Sequence, residues 1–465
     1  MSSTEPAGSG PNAVIPDATD TEHSALRRVI GGRLLLFFVV GDVLGTGIYA
    51  LTGRVGAEVG GAMWTAFLLA FLVAVLTAMS YLELVGKYPR AAGAALYINR
   101  AFGIEFLTFL VAFAVMASGL TSASAAARAF GGDYLREFVT VPSVAAALLF
   151  IITVGVVNYQ GVAHSVKANV VLTCVELSGL LIVLGIGAWA VLHGEGEPSR
   201  LLEFREGDAI PVLITSGAAL AFFAFVGFED SVNMAEEVRH PHRVFPRALL
   251  TGLTIAGTLY VLVALTASLL VPVDVLGAST GPLLEVVEAG APGFPPWVFS
   301  FIALFAVANS ALINMLMASR LVYGMANERI VPRVFARVQP FRRTPWVAIL
   351  FTTLLAMVLI ITGEVGDLGG TTALLLLCVF TVVNLAVLVL RREKVAHEHF
   401  RTPTLFPILG IITCGYLASP LSGRDPQQYR TAGALLVVGL VLYGLNKLVL
   451  RYSSGAGSSG ANRVS

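Results

Sequence analysis

This sequence is short of charge. Only 13% of its 465 residues are Asp, Glu, Lys or Arg, against 56% apolar, and its mean hydropathy is +0.81; a soluble domain carries about 25% charged residues. That shortage excludes an ordinary water-soluble enzyme. The formal net charge of +1 excludes the basic footprint by which nucleic acid is bound. Cysteine is nearly absent: Cys174, Cys378 and Cys414 all fall inside apolar runs and read as small buried hydrophobes, not as a disulfide framework or a zinc site. The seven histidines are scattered, so no catalytic cluster of the kind a membrane-embedded enzyme needs is visible.

Long apolar runs are what the sequence has instead. Twelve follow one another from Leu34, with cores at Leu34–Leu51, Ala62–Leu84, Ala101–Ala127, Val141–Val157, Val170–Leu192, Ile210–Met234, Ala248–Val271, Val298–Met325, Ala348–Ile361, Thr371–Leu390, Phe406–Leu417 and Ala432–Leu450. Lengths near 20 residues predict helices, because in hydrocarbon only helices and closed barrels satisfy the backbone. An all-α integral membrane protein with twelve transmembrane helices is expected, the ninth and eleventh being the shortest. Residues 1–32, rich in Ser, Gly, Pro, Thr and Asp without apolar periodicity, read as a disordered tail; a signal peptide would pair a basic start with an apolar core. Residues 452–465, rich in Gly and Ser, read as a second tail.

Short loops rich in Lys and Arg stay cytoplasmic. With the N-terminus inside, 23 of the 30 basic residues fall inside and 7 outside, which places both termini in the cytoplasm and the chain in the cytoplasmic membrane, facing membrane lipid.

Two runs are interrupted. The first reads Gly41-Asp42-Val43-Leu44-Gly45-Thr46-Gly47-Ile48-Tyr49, the sixth Phe222-Phe223-Ala224-Phe225-Val226-Gly227-Phe228-Glu229-Asp230. Glycine costs up to about 1 kcal/mol in a helix interior and permits the backbone to leave it. A broken helix exposes amide donors at the start of its second half and carbonyl acceptors at the end of its first, so two side by side can hold a zwitterion. Interruptions in runs 1 and 6 are also what an inverted repeat of five plus five helices produces. Close helix packing is the competing reading of Gly45 and Gly47. Asp42, Glu176 and Glu229 favour a functional site, because ionisable residues inside a span cost roughly 3 kcal/mol each on insertion scales; Asp230 either shares the site or sits on the cytoplasmic half of run 6.

The stretch Gly41–Gly53, with Gly45-Thr46-Gly47-Ile48 at its centre, resembles the first span of the amino acid, polyamine and organocation (APC) transporter superfamily. Four further stretches agree in order and spacing: Tyr81-Leu82-Glu83 through Lys87-Tyr88-Pro89-Arg90 to Arg100-Ala101-Phe102-Gly103; Phe222 to Pro246; Ala318-Ser319-Arg320 through Pro332; and Thr344-Pro345-Trp346. The resemblance covers about Leu34 to Leu450. It implies a LeuT-type fold, with one five-helix repeat over 33–192, a second over 210–392 and two further helices over 402–451, helices 1 and 6 being broken. It implies that Gly45, Thr46 and Gly47 hold a substrate carboxylate and that the carbonyls at Val43, Phe223, Ala224 and Val226 receive its ammonium. Phe223 resembles a gate over the substrate, Glu229 falls where some members carry an acidic residue linked to proton sensing, and Asn314 falls near a position that shapes the side-chain pocket. One position departs from the family pattern: nine residues after Lys167, where several sodium-independent relatives have a lysine, this sequence has Glu176. A carboxylate there can take up a proton, ligate a cation or pair with a base, and neither sodium independence nor the lysine mechanism carries over.

The expected function is a secondary active amino acid transporter working by alternating access, with proton coupling through Glu176 or Glu229 and sodium as the other candidate ion. An uncoupled exchanger or facilitator is the nearest rival, and a membrane-bound amino acid sensor the rival from another class. Phe222, Phe223, Phe225 and Phe228 suggest a pocket tolerant of apolar or aromatic side chains, with lipid-facing packing the competing reading for Phe222 and Phe225. No cofactor is expected: Gly45-Thr46-Gly47 begins like a dinucleotide fingerprint, but Ala50 stands where its next glycine would be. Gly277-Ala278-Ser279-Thr280-Gly281 matches a hydrolase pattern without the strand-to-helix setting that pattern requires. His240-Pro241-His242 reads as a solvated loop, and Glu236-Glu237 as inner-gate partners of Arg90 or Lys167.

Overall fold

The structure, a computed structural model, describes residues 30–89, 93–161, 166–395 and 397–460. Most of the expected N-terminal tail, and Arg90 with it, lies outside those residues, as do the side chains of Lys167 and Glu236, so the inner-gate pairing falls outside what is described. The described chain is helical apart from loops and one isolated bridge, Ile30 to Val238.

The principal helices are α1 (Gly32–Val43), α2 (Thr46–Val59), α3 (Trp64–Lys87), α4 (Glu105–Phe130), α5 (Ser143–Gln160), α6 (Val166–Leu192), α7 (Ile210–Ala221), α8 (Pro241–Leu270), α9 (Pro296–Asn327), α10 (Trp346–Thr362), α11 (Val365–Leu390), α12 (Leu405–Ala418) and α13 (Pro426–Gly460). Taking α1 with α2 and α7 with the turns that follow it, ten segments are long and apolar enough to cross a membrane among the described residues; α10 and α12, on the ninth and eleventh runs, are shorter apolar helices. Several helix ends differ from the sequence expectation, two of them instructively. Helix α8 starts at Pro241, not Ala248, because its first turns carry Arg243 and Arg247 and hydropathy marks the apolar part of a helix, not its charged turns. Helix α13 runs to Gly460, past the expected start of the tail at residue 452, since extending a formed helix adds one hydrogen bond per residue fixed.

Helix α4 packs between α9 and α11, while α1 lies against α8 and α6, and α3 against α8 and α7. The cysteine expectation is corrected here: Cys414 is buried, but Cys174 and Cys378 are exposed. The outer surface of such a bundle meets lipid, where a thiol is as well placed as in a core.

Hydrogen bonds join helix ends in two groups. In one, Ile30 N–H donates to Glu237 O (3.0 Å) and Arg239 N–H to Ile30 O (3.0 Å), tying the entry of α1 to the end of the sixth segment; Thr344 Oγ1 donates to Tyr159 O (3.0 Å). In the other, Trp64 Nε1 donates to Leu201 O (2.9 Å) and Arg205 N–H to Val59 O (2.9 Å). The first group collects the ends rich in arginine and lysine, so that face is called the basic face below.

Arg424, on the opposite face, is 7% exposed. It has no ion pair among the described residues and donates to Leu417 O (2.7 Å), Gly370 O (2.8 Å) and Ala219 O (2.8 Å). Burial lowers its pKa to about 10. Its bond to Ala219 anchors the last turn of α7 next to the sixth-segment break.

Candidate functional site

Helix α1 ends at Val43, and α2 starts at Thr46 after Leu44 (φ −73°, ψ 57°) and Gly45 (φ −110°, ψ −149°), which leave the helical region. In the sixth segment α7 passes into a 3₁₀ turn at Phe222–Phe225, Val226 is extended, Gly227 has φ +119°, and a second 3₁₀ stretch covers Asp230–Glu237. Both interruptions fall on the glycines that mark them in the sequence.

The two breaks touch at two points where only glycine fits. A Cβ on Gly47 would lie 2.3 Å from Ala224 Cα, and a Cβ on Gly227 would lie 2.7 Å from Asp42 O; Gly227 also needs its left-handed backbone. Gly47 is therefore a packing contact in addition to any binding role, so the packing reading of the glycines holds at this position.

Between the breaks is a cavity of about 20 Å³ lined by Asp42, Val43, Gly45, Thr46, Gly47, Ser122, Phe223, Val226, Gly227, Asp230, Ser310 and Asn314. Of the residues expected at the site, it gathers Val43, Gly45, Thr46, Gly47, Phe223, Val226 and Asn314. It does not gather Ala224, which is wedged against Gly47, nor Glu229 or Glu176. The first N–H groups of an α-helix have no partner in the helix, and those of α2 belong to Thr46 and Gly47, which line the cavity. Thr46 is 1% exposed, and its hydroxyl has no partner among the described residues, nor does Asp42 Oδ2.

The carbonyl of Val43 is already engaged: the Tyr260 hydroxyl donates to it at 2.5 Å and Gly45 N–H at 2.8 Å, which fills both of its lone pairs. In this conformation Val43 has no acceptor left for an ammonium, in contrast to the expectation. Phe223 O accepts from Val226 N–H (3.2 Å) and keeps one. Glu229 turns back on its own segment, its Oε2 accepting from Gly227 N–H at 2.9 Å, and so satisfies an amide freed by the break.

Glu176 is 1% exposed between α6 and α9: its Oε1 accepts from Asn309 Nδ2 at 3.0 Å, its Oε2 has no partner among the described residues, and its backbone carbonyl takes the Tyr49 hydroxyl at 2.5 Å. Helix α6 approaches α1 one turn earlier, where a Cβ on Gly41 would collide with Thr173 Oγ1.

A family model described as amino acid permease matches residues 30–443. The chain belongs to that family. Similar proteins include the branched-chain amino acid permease BcaP of Bacillus subtilis (strain 168), 23% identical over 92% of this chain and 94% of its own length. The methylthioribose transporter of the same organism is 25% identical over 86% and 88%, and cationic amino acid transporter 4 of Mus musculus 26% identical over 82% and 63%. The permease is a multi-pass membrane transporter and not an enzyme. Its hydrolase-like stretch has a structural use: Asp133 Oδ2 accepts from Thr280 N–H (2.7 Å), Thr280 Oγ1 (2.7 Å) and Ser279 Oγ (3.1 Å), fastening the loop after α8 to the end of α4.

Sequence reasoning missed Ser122 and Ser310, which line the permease's cavity, and Tyr260, whose hydroxyl donates to the carbonyl of the lining residue Val43. A signal existed for the first two, hydroxyl residues on apolar runs, with Ser310 four residues before Asn314, whose Nδ2 donates to Ser310 O at 2.9 Å. The phenylalanine run also needs correction. Phe222, Phe225 and Phe228 are fully buried, against Phe380, Tyr260 and Tyr81 respectively, so Phe222 and Phe225 face neither lipid nor pocket; Phe223 alone of the four lines the cavity.

Gly45 offers a cleaner probe than Gly47. A Cβ there would stand 3.0 Å from Ser310 Oγ, a group that can rotate away. Gly45→Ala is expected to leave expression and melting temperature unchanged and to raise the KM for uptake about tenfold, roughly one lost polar contact; an unchanged KM would remove Gly45 from the site.

Proposed function

We propose that the permease moves amino acids across the cytoplasmic membrane by alternating access, as twelve spans with a five-plus-five inverted repeat and cytoplasmic termini, driven by protons. One observation carries this reading: the amide end of α2 and the carbonyl end of the 3₁₀ turn at Phe222–Phe225 meet in a single buried cavity. Such ends attract a carboxylate and an ammonium respectively. Phe223, with Asn314 across the cavity, takes the role of gate and pocket wall.

A cavity of about 20 Å³ has room for about one water, so an amino acid enters only when the halves of the broken segments separate. That requirement is what alternating access supplies. The names of the relatives span branched-chain amino acids, cationic amino acids and methylthioribose and so select no side chain. The charges on the cavity are informative about one class: Asp42 and Asp230 line it, and no lysine, arginine or histidine among the described residues does, which disfavours acidic substrates.

Glu176 is the coupling group of choice over Glu229, because Glu229 is committed to the Gly227 amide while Glu176 keeps an oxygen without a partner among the described residues. An ionised carboxylate in that setting costs several kcal/mol, a cost that taking up a proton removes. The test is uptake by purified protein in liposomes, across a panel of labelled amino acids, with and without imposed pH or sodium gradients. Wild-type uptake is expected to rise with an inward proton gradient, and Glu176→Gln to make it indifferent to that gradient. A sodium requirement, or uptake only into liposomes preloaded with amino acid, would replace proton coupling. No uptake or exchange of any amine-bearing substrate would sink the reading.

A further inference from the structure

Apart from Glu328 at its start, the loop from α9 to α10 carries positive charge only. Residues 329–363 contain no aspartate or glutamate, and the first fifteen hold Arg329, Arg333, Arg337, Arg342 and Arg343. All five are exposed, and none makes an ion pair among the described residues.

Apolar side chains stand out from the same loop. Phe341 is 95% exposed, and Val334 and Val338 are each 40% exposed. Phe341 precedes the start of α10 by five residues, so it sits at the depth where a span leaves the hydrocarbon. An exposed phenylalanine flanked by arginines fits a membrane interface, where the ring enters the acyl boundary and the guanidinium groups stay with the headgroups.

The loop is also held in shape before any ligand arrives. Gln339 N–H donates to Thr344 O (2.9 Å) and Arg343 N–H to Gln339 O (2.8 Å), while Arg342 lies over the Tyr159 ring at 5.3 Å. Phe335 packs on Phe351 with centroids 5.0 Å apart, and Asn446 Nδ2 of α13 donates to Arg329 O at 2.5 Å. Arg329 and Arg343 both adopt positive φ, 56° and 54°, a conformation that side chains other than glycine rarely take and that a built turn must hold.

We propose that residues 329–343 form a docking site for the anionic headgroups of phospholipids in the leaflet this loop meets, with Phe341 set into the interface beside them. The site is separate from the substrate cavity and does not depend on which side of the membrane the loop faces. Five guanidinium groups on a preformed turn offer planar, two-pronged contacts to phosphate.

The test uses the full-length protein in nanodiscs of phosphatidylcholine doped with phosphatidylglycerol, with bound lipid counted by native mass spectrometry. Wild type is expected to retain phosphatidylglycerol over phosphatidylcholine. The variant Arg333→Gln/Arg337→Gln/Arg342→Gln/Arg343→Gln is expected to lose that preference by at least ~10-fold, since one basic residue at a membrane surface contributes about fivefold. A variant with Arg239, Arg243 and Arg247 changed to Gln measures what basic charge on this face contributes in general and is expected to lose clearly less of the preference than the loop variant. An unchanged preference in the first variant, or an equal loss in the second, would overturn the proposal.

Discussion

Replacing Gly47 with alanine is expected to cut uptake at least ~100-fold and to lower the melting temperature together with it. The added Cβ has nowhere to go: its nearest neighbours are Ala224 Cα at 2.3 Å, Ala224 Cβ at 2.8 Å and Ala224 N at 2.9 Å, and two of these are backbone, which cannot rotate aside. Overpacking a tight contact costs typically 1–3 kcal/mol, and here the displaced backbone belongs to the turn that carries Phe223, so the strain falls on the cavity between the breaks. About 3 kcal/mol corresponds to the hundredfold. The matched control is Gly444→Ala on α13, where nothing lies within 4 Å of the added carbon; it is expected to leave uptake unchanged and to stabilise slightly, by up to about 1 kcal/mol of helix propensity. Uptake and melting by Gly47→Ala within twofold and one degree of wild type would show that the two breaks are not in contact.

The second large effect is expected at the end of α3. Glu83 and Arg391 form a two-pronged pair, with Nε to Oε1 at 2.8 Å and Nη2 to Oε2 at 2.7 Å, and their side chains are 3% and 13% exposed. Thr402 N–H adds a third bond to Glu83 at 2.9 Å, and Arg391 Nη1 donates to Thr404 Oγ1 at 2.8 Å. The bonds from Glu83 raise the pKa of Arg391. Lys87 beside them donates to the carbonyls of Leu390 and Glu393, so the end of α3 is fastened to the end of α11 and to the chain entering α12. Removing one partner strands a buried charge, which costs roughly 3–5 kcal/mol, whereas replacing both with apolar groups of similar volume is often neutral. Glu83→Gln and Arg391→Met are each expected to lower the melting temperature in detergent markedly, and Glu83→Leu with Arg391→Met to recover most of the loss. A double variant no better than the singles would mean that the Thr402 and Thr404 bonds, not the ion pair, hold the joint.

These two sites also mark what a sequence can and cannot disclose. The apolar runs have helices on them, including the two short ones, because burial of a backbone in lipid is decided by residues close together in the chain. The breaks were legible for the same reason: glycine acts on its own φ and ψ, so Gly45 and Gly227 announce where a helix can stop. Partners were not legible. Nothing in Gly47 or Ala224 says that they meet, nothing in Glu83 names Arg391 308 residues away, and nothing in Tyr260 foretells that its hydroxyl takes the Val43 carbonyl. The aromatic run failed differently. Four phenylalanines in seven residues wrap all around the turn, so neither the lipid nor the pocket reading of Phe222 and Phe225 follows from spacing, and the side that faces Phe380 and Tyr260 is known only once those helices are in place.

The two glycine contacts between the breaks have a mechanical consequence. Gly47 bears on Ala224, and Gly227 bears on Asp42, so each broken segment touches the other once on either side of its own interruption. Two bodies pinned at one point can swivel freely, but pinned at two they share an axis and keep a single degree of freedom. In the alternating-access cycle proposed above, the first and sixth segments are then expected to move as one hinge, and a label on either to report the same rate.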